Sequence, residues 1–168
     1  MRRLLSILAL SLLAACSSQP PAPEQSAAGV DSRTGHDVVS AVGQYSPQNL
    51  KNPSSILSKR EIFFDLDSYA IRDEFKPVLE AHAKFLQANP SYKMLIQGNT
   101  DERGSREYNL ALGQKRAEAV KKALQLLGAS ESQIEAVSLG KEKPRCTDAN
   151  EDCWAQNRRA DILYTGEF

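Results

Sequence analysis

The stretch from Gly98 to Ala117 constrains the fold most, because within it an alternating strand gives way to a charged turn and then to an amphipathic helix. Tyr92 to Gln97 alternates Tyr, Met and Ile with Lys, Leu and Gln, the pattern of a half-buried strand. Gly98 ends it, Asn99 to Gly104 is a turn of small and charged residues, and Ser105 can cap a helix whose Glu107 lies in the positive first turn. Asn109, Leu112 and Arg116 follow at spacings of three and four and so share one helical face. That face rises beside the turn carrying Asp101 and Arg103, and a carboxylate and a guanidinium brought together in this way make a receptor for a zwitterion.

The flanking sequence supplies the rest of an α/β domain. Glu61 to Leu66 reads as a strand and Asp67 to Tyr69 as a turn; Asp73 is placed to cap a helix that Asn89-Pro90 stops. His82 falls on that helix's apolar stripe, where a core histidine is expected rather than a base. The helix after Ser105 runs to Leu127, where Gly128 is a natural C-cap; Ile134 to Leu139 and Arg159 to Tyr164 read as the remaining strands. Strand-helix-strand units of this kind predict right-handed crossovers, with Asp67 and Asp101 at the carboxyl ends of neighbouring strands.

The N-terminus has a different character. Met1-Arg2-Arg3 is basic, Leu4 to Leu13 is apolar but too short for a lasting membrane span, and Leu13-Ala14-Ala15-Cys16 follows at once. This pattern resembles the lipobox of bacterial lipoproteins, which implies removal of residues 1–15, lipid on Cys16 and, with Ser17 next, the outer membrane; an ordinary signal peptide that carries a cysteine is the plainer alternative. Residues 16–59, rich in Ser, Pro, Ala, Gln and Gly, read as a tether with a span of roughly 35 Å, and residues 60–168 as the folded domain. The chain has 21 basic and 21 acidic side chains, and loss of Arg2 and Arg3 leaves a near-neutral protein without the basic stripe that nucleic acid requires.

Of the three cysteines, Cys146 and Cys153 remain once Cys16 is assigned to lipid, and export favours a disulfide between them. The spacing demands a turn, which Asp148-Ala149-Asn150 suits, and so short a ring contributes roughly 2.5 kcal/mol. A metal site is the alternative, although the pair supplies only half of the usual ligands and no histidine lies near. No cofactor is indicated.

Gly98-Asn-Thr-Asp-Glu-Arg-Gly104, followed by Asn109-x-x-Leu112-x-x-x-Arg116-Ala117, resembles the peptidoglycan-binding signature of the OmpA-like C-terminal domain. Ile62 to Asp67, Gly140-Lys-Glu-Lys-Pro144 and Asn157-Arg158-Arg159 match as well, so the resemblance spans Arg60 to Tyr164. It implies an OmpA-like fold, a mixed four-stranded sheet in β-α-β-α-β-(α)-β order with helices packed on it. It also implies a peptidoglycan ligand, the meso-diaminopimelate of the peptide stem. Asp101 and Arg116 would hold the ligand's amino and carboxylate groups, and Asp67, Asn99, Arg103, Asn109 and Leu112 would line the site. A β-propeller protein, TolB, is the implied competing partner. Two departures stand out: many members carry His where this chain has Asn99, and some lack the cysteine pair. On this reading Asp101→Ala or Arg116→Ala abolishes binding without disturbing the fold.

Other readings compete. Asp101 and Arg116 could simply pair with each other, Glu102, Arg106 and Lys115 could be a solvated face, and Asn157-Arg158-Arg159 could bracket the site or only end a helix. An envelope hydrolase would need a base, yet His36 lies in the tether and His82 on a core stripe, while Asp65 and Asp67 are not an obvious general acid/base pair. A nearer alternative is an OmpA-like lipoprotein of a motility or secretion machine.

Overall fold

The computed structural model describes residues 43–168; the expected signal peptide, Cys16 and the expected tether as far as residue 42 lie outside the described residues. Within them, β1 (Glu61–Phe63), β2 (Met94–Asn99), β3 (Ile134–Gly140) and β4 (Arg159–Tyr164) form one sheet in the order β1-β4-β2-β3. β4 runs antiparallel to both of its neighbours, and β2 and β3 are parallel, so the sheet is mixed as expected. β1 and β2 share a direction but are not neighbours. The last strand of the chain inserts between them, which corrects the expectation that Asp67 and Asp101 follow adjacent strands.

Helices α1 (Lys76–Ala88) and α2 (Arg106–Leu126) cover one face of the sheet. Their apolar stripes meet Ile62, Met94, Ile96 and Ile162 in a core from which water is excluded. Ser105 caps α2 as expected, its hydroxyl accepting from the Tyr108 N–H at 3.1 Å. Asp73 does not cap α1: a 3-10 turn, Asp73–Phe75, precedes the helix, and Asp73 instead pairs at the surface with Lys76.

The ordered domain begins earlier than Arg60. Leu50 and Leu57, on the short 3-10 turns Pro47–Leu50 and Ile56–Ser58, are buried in the main core, and the Arg60 guanidinium donates to the Leu50 carbonyl at 2.9 Å. The C-terminal part of the expected tether therefore packs as structure, because its few apolar side chains find the open flank of α1.

His82 is buried at 0 % exposure, with Nε2 bonded to the Lys59 carbonyl at 2.8 Å and Nδ1 to the Tyr164 hydroxyl at 2.7 Å. A carbonyl only accepts, so Nε2 carries the proton and Nδ1 accepts from Tyr164. Burial pushes the imidazole down to about 4 and keeps it neutral. Both ring nitrogens are used, which takes His82 out of acid–base chemistry and matches the expected core histidine.

Candidate functional site

The turn after β2 and the first half of α2 enclose a pocket of about 200 Å³ with the loop after β1. Asp67, Asp101, Arg103, Asn109, Leu112 and Arg116 line it together with Leu66, Thr100, Gly104 and Tyr108. Every expected site residue is present except Asn99.

Asn99 is absent for a reason of strand geometry. Gly98 faces α2, and successive strand residues alternate, so the Asn99 side chain points to the opposite face of the sheet. There its amide donates to the Gln97 carbonyl and to Asp161 Oδ2, each at 3.0 Å. Thr100 returns to the pocket side. Its hydroxyl is buried in the lining without a hydrogen-bond partner among the described residues, an orphan that a polar guest would satisfy.

Arg116 is fully enclosed at 0 % exposure. Its Nε donates to the Ser68 carbonyl (2.8 Å), Nη1 to the Asn99 carbonyl (2.9 Å) and Nη2 to the Asp65 carbonyl (3.1 Å). These three bonds fold the loop after β1 around the guanidinium and leave two of its five N–H groups uncommitted. Among the ion pairs of the described residues none includes Arg116. Burial, reinforced by the nearby Arg158 cation, lowers its pKa to about 10, which still leaves it charged at neutral pH. Asp101 and Asp67 act on it only from across the pocket, and a buried cation with no carboxylate in direct contact favours the approach of one.

Asp101 does not pair with Arg116. Its carboxylate is forked by its own loop neighbour, Arg103 Nε to Oδ1 at 3.1 Å and Nη2 to Oδ2 at 2.8 Å, and Arg158 Nη1 approaches Oδ2 at 3.5 Å. Burial raises the Asp101 pKa, but the Arg103 and Arg158 hydrogen bonds outweigh it and hold the group below the ordinary carboxylate value. The loop itself is pinned from both sides: Asn109 Nδ2 donates to the Arg103 carbonyl (2.8 Å), and Lys141 Nζ to those of Glu102 (3.0 Å) and Gly104 (2.8 Å).

Asp67 closes the rim. It adopts a left-handed backbone, φ 53°, and its carboxylate accepts from the Tyr108 hydroxyl on α2. Tyr108 carries no signal of its own in the sequence, since adjacent helical residues project about 100° apart and it does not share the Asn109 face; the loop after β1 brings Asp67 to it.

The triplet Asn157-Arg158-Arg159, which begins on the last residue of α3 (Glu151–Asn157), divides its labour. Asn157 holds the preceding loop through Cys146, Arg158 reaches Asp101, and Arg159 pairs with Asp161 on the far face of the sheet. Cys146 and Cys153 form a disulfide with their Cα atoms 5.3 Å apart, and the segment between them turns just before α3, which Asn150 caps by accepting from the Cys153 N–H. Of the expected solvated face, Arg106 pairs with Glu142 at the surface and Lys115 lies over the Tyr69 ring, whereas Glu102 accepts from the Trp154 indole.

The model of the OmpA family matches residues 63–158. A peptidoglycan-associated lipoprotein of Pseudomonas putida is 38% identical over 155 residues, covering 92% of this chain and 91% of the relative. Its counterpart in Pasteurella multocida is 43% identical over 122 residues, covering 73% and 78% of the two chains. The solved peptidoglycan-associated lipoprotein from Burkholderia pseudomallei aligns over 69% of this chain and 98% of its own at 58% identity, with a TM-score of 0.68. The C-terminal domain of Helicobacter pylori MotB, at 24% identity over 62% and 83% of the two chains and a TM-score of 0.58, shares the fold. With the family signature filling most of the folded domain and relatives matching nearly end to end, the chain belongs to the OmpA family, among the peptidoglycan-associated lipoproteins.

Proposed function

We propose that the domain is a non-catalytic receptor that grips peptidoglycan by the meso-diaminopimelate of its peptide stem. That amino acid offers an ammonium and a carboxylate on one carbon at its free end. Asp101 takes the ammonium and Arg116 the carboxylate by charge-assisted hydrogen bonds, while Thr100 and Asn109 supply neutral polar contacts. The observation that carries this reading is the enclosed Arg116 cation, which lines the pocket without a carboxylate partner among the described residues. Because Arg116 has no exposed surface, the guest reaches it from within the pocket, and the Asp67–Tyr108 contact at the rim yields to admit it.

Two attachments then make a mechanical link. Residues 1–15 are removed, lipid on Cys16 anchors the chain in the outer membrane with the domain facing the periplasm, and the pocket holds the wall. In the Tol–Pal envelope system, TolB would compete for an overlapping surface and make the attachment releasable during division. The names of the relatives support this assignment over one in a motility machine, for which the MotB likeness argues only at the level of fold.

The test is co-sedimentation with purified sacculi. The protein is expected to pellet with them and to be released by excess free meso-diaminopimelate, and Asp101→Asn to stay in the supernatant. Pelleting that free diaminopimelate leaves undiminished, or an Asp101→Asn variant that pellets like the parent, would refute the assignment.

A further inference from the structure

Helix α3 spans seven residues, well below the length at which a helix sustains itself in water, and none of them belongs to the hydrophobic core. It is nonetheless fastened at both ends. Asn150 caps its start, the disulfide ties Cys153 to the loop before it, and Asn157 at its end accepts from the Arg145 N–H at 2.7 Å and donates to the Cys146 carbonyl at 2.7 Å. An element that adds nothing to the core and is still anchored this firmly has its purpose in what its side chains touch.

Those contacts converge on Asp101. The Trp154 ring lies under the Arg103 guanidinium, 4.0 Å from ring centre to Cζ, and its indole N–H donates to Glu102 Oε1 at 3.0 Å. Glu151 accepts from Arg158 at 2.6 Å and stands 3.8 Å from Arg103 Nη2. Arg103 and Arg158 are the two arginines whose side chains contact the Asp101 carboxylate, so α3 touches both.

We propose that Trp154 is a positioning residue of the pocket, acting on Asp101 through Arg103, and that the Cys146–Cys153 disulfide serves to hold Trp154 in place. The Arg103 side chain is 35% exposed, so water competes for its guanidinium, and nothing in its own flexible stem keeps it flat against a carboxylate. Stacking on an indole face restricts it to the plane from which it forks both Asp101 oxygens. The fork, together with the Arg103 backbone N–H on Oδ1 and Arg158 Nη1 on Oδ2, fixes the rotation of the carboxylate that the pocket presents. Without Trp154 the guanidinium disperses into solvent, the fork opens, and Asp101 turns toward Arg158.

The ligand readout rests on the diaminopimelate assignment, so the experiment carries a second readout that does not. In the purified protein, Trp154→Ala, Trp154→Phe and the double variant Cys146→Ser/Cys153→Ser are compared with the parent by NMR titration of the Asp101 carboxyl without ligand and by calorimetric titration with meso-diaminopimelate. Circular dichroism melting confirms that each variant is folded. Trp154→Ala and the disulfide-free variant are expected to raise the Asp101 pKa toward the ordinary value and to weaken binding about tenfold, while Trp154→Phe, which keeps an aromatic face, stays within about threefold of the parent. The chain has one tryptophan, so loss of its parental emission in the disulfide-free variant reports the release of α3 directly. An unmoved Asp101 titration in Trp154→Ala would overturn the proposal, as would a moved titration with unchanged affinity. Should the parent itself fail to bind diaminopimelate, that assignment falls, and the Asp101 titration alone decides the positioning role.

Discussion

Gly98 of β2 and Gly113 of α2 touch backbone to backbone. A Cβ placed on Gly98 would lie 1.8 Å from the Gly113 carbonyl oxygen, and one placed on Gly113 would lie 2.3 Å from Ser138 Oγ. This contact lowers the helix onto the sheet, and one turn further on Arg116 thereby comes within 2.9 Å of the Asn99 carbonyl. The pocket is thus built by an absence of side chains next to it.

Alanine at Gly98 has to displace backbone rather than a yielding side chain. Gly98→Ala is expected to destabilise the domain by about 2 kcal/mol or more and to abolish ligand binding, since α2 carries Asn109, Leu112 and Arg116 away with it. Gly113→Ala meets the Ser138 hydroxyl at 2.3 Å and the Gly98 carbonyl oxygen at 2.8 Å, a shallower backbone overlap than the 1.8 Å at Gly98, and should be milder. Denaturant melts of the two variants check the order.

His82 makes stability depend on acid. Its native pKa of about 4 lies below its ordinary 6.5, so the unfolded chain binds the extra proton. The stabilisation is fully present above pH 6.5 and is lost as pH falls toward 4, a total of roughly 3 kcal/mol at about 1.36 kcal/mol for each pH unit between the two values. Urea unfolding between pH 7.5 and pH 4 should show this slope, and His82→Gln should flatten it.

Arg116 is a strut as well as a candidate ligand contact, which changes how it can be tested. Arg116→Ala strands the carbonyls of Asp65, Ser68 and Asn99, so the expectation that it leaves the fold undisturbed gives way to an expected loss of about 2 to 4 kcal/mol. Asp101→Asn keeps the shape of its side chain but turns an amide NH2 toward the arginine donors, so it is expected to lose at least tenfold in affinity together with about 1 to 3 kcal/mol of stability, less than Arg116→Ala. Thermal melts run beside ligand titrations separate the two effects.

Strand alternation assigns opposite outcomes to adjacent residues. Thr100→Val removes the orphaned hydroxyl at constant volume and should weaken ligand binding about threefold to tenfold, whereas Asn99→Ala, on the far face, should leave affinity within about threefold while costing stability. Titrations of both variants decide whether the pocket has been located correctly.

The α2 half of the pocket is legible in the sequence because a helix converts spacing into direction: Asn109, Leu112 and Arg116 can only face one way. Thr100 is not, because the sequence reads Asn99 to Gly104 as a turn in which no alternation can be counted, and the family resemblance points to Asn99 instead. The arginine that reaches Asp101 from the far end of the chain, Arg158, and the indole beneath Arg103 are not legible, since no local pattern says that β4 inserts between β1 and β2 and brings α3 beside the turn. Leu50 and Leu57 are hidden by company: isolated apolar residues among Ser, Pro and Asn look like linker until a flank of the core is found to need them.

The most direct measurement is calorimetric titration with two tetrapeptide stems that differ only in carrying meso-diaminopimelate or lysine at the third position. Both offer an ammonium to Asp101, but only the first brings a carboxylate to the unpaired Arg116. The diaminopimelate stem is expected to bind at least about tenfold more tightly, the value of one charge-assisted contact to a buried arginine. Equal affinity for the two stems would contradict the claim that the enclosed Arg116 is the carboxylate receptor.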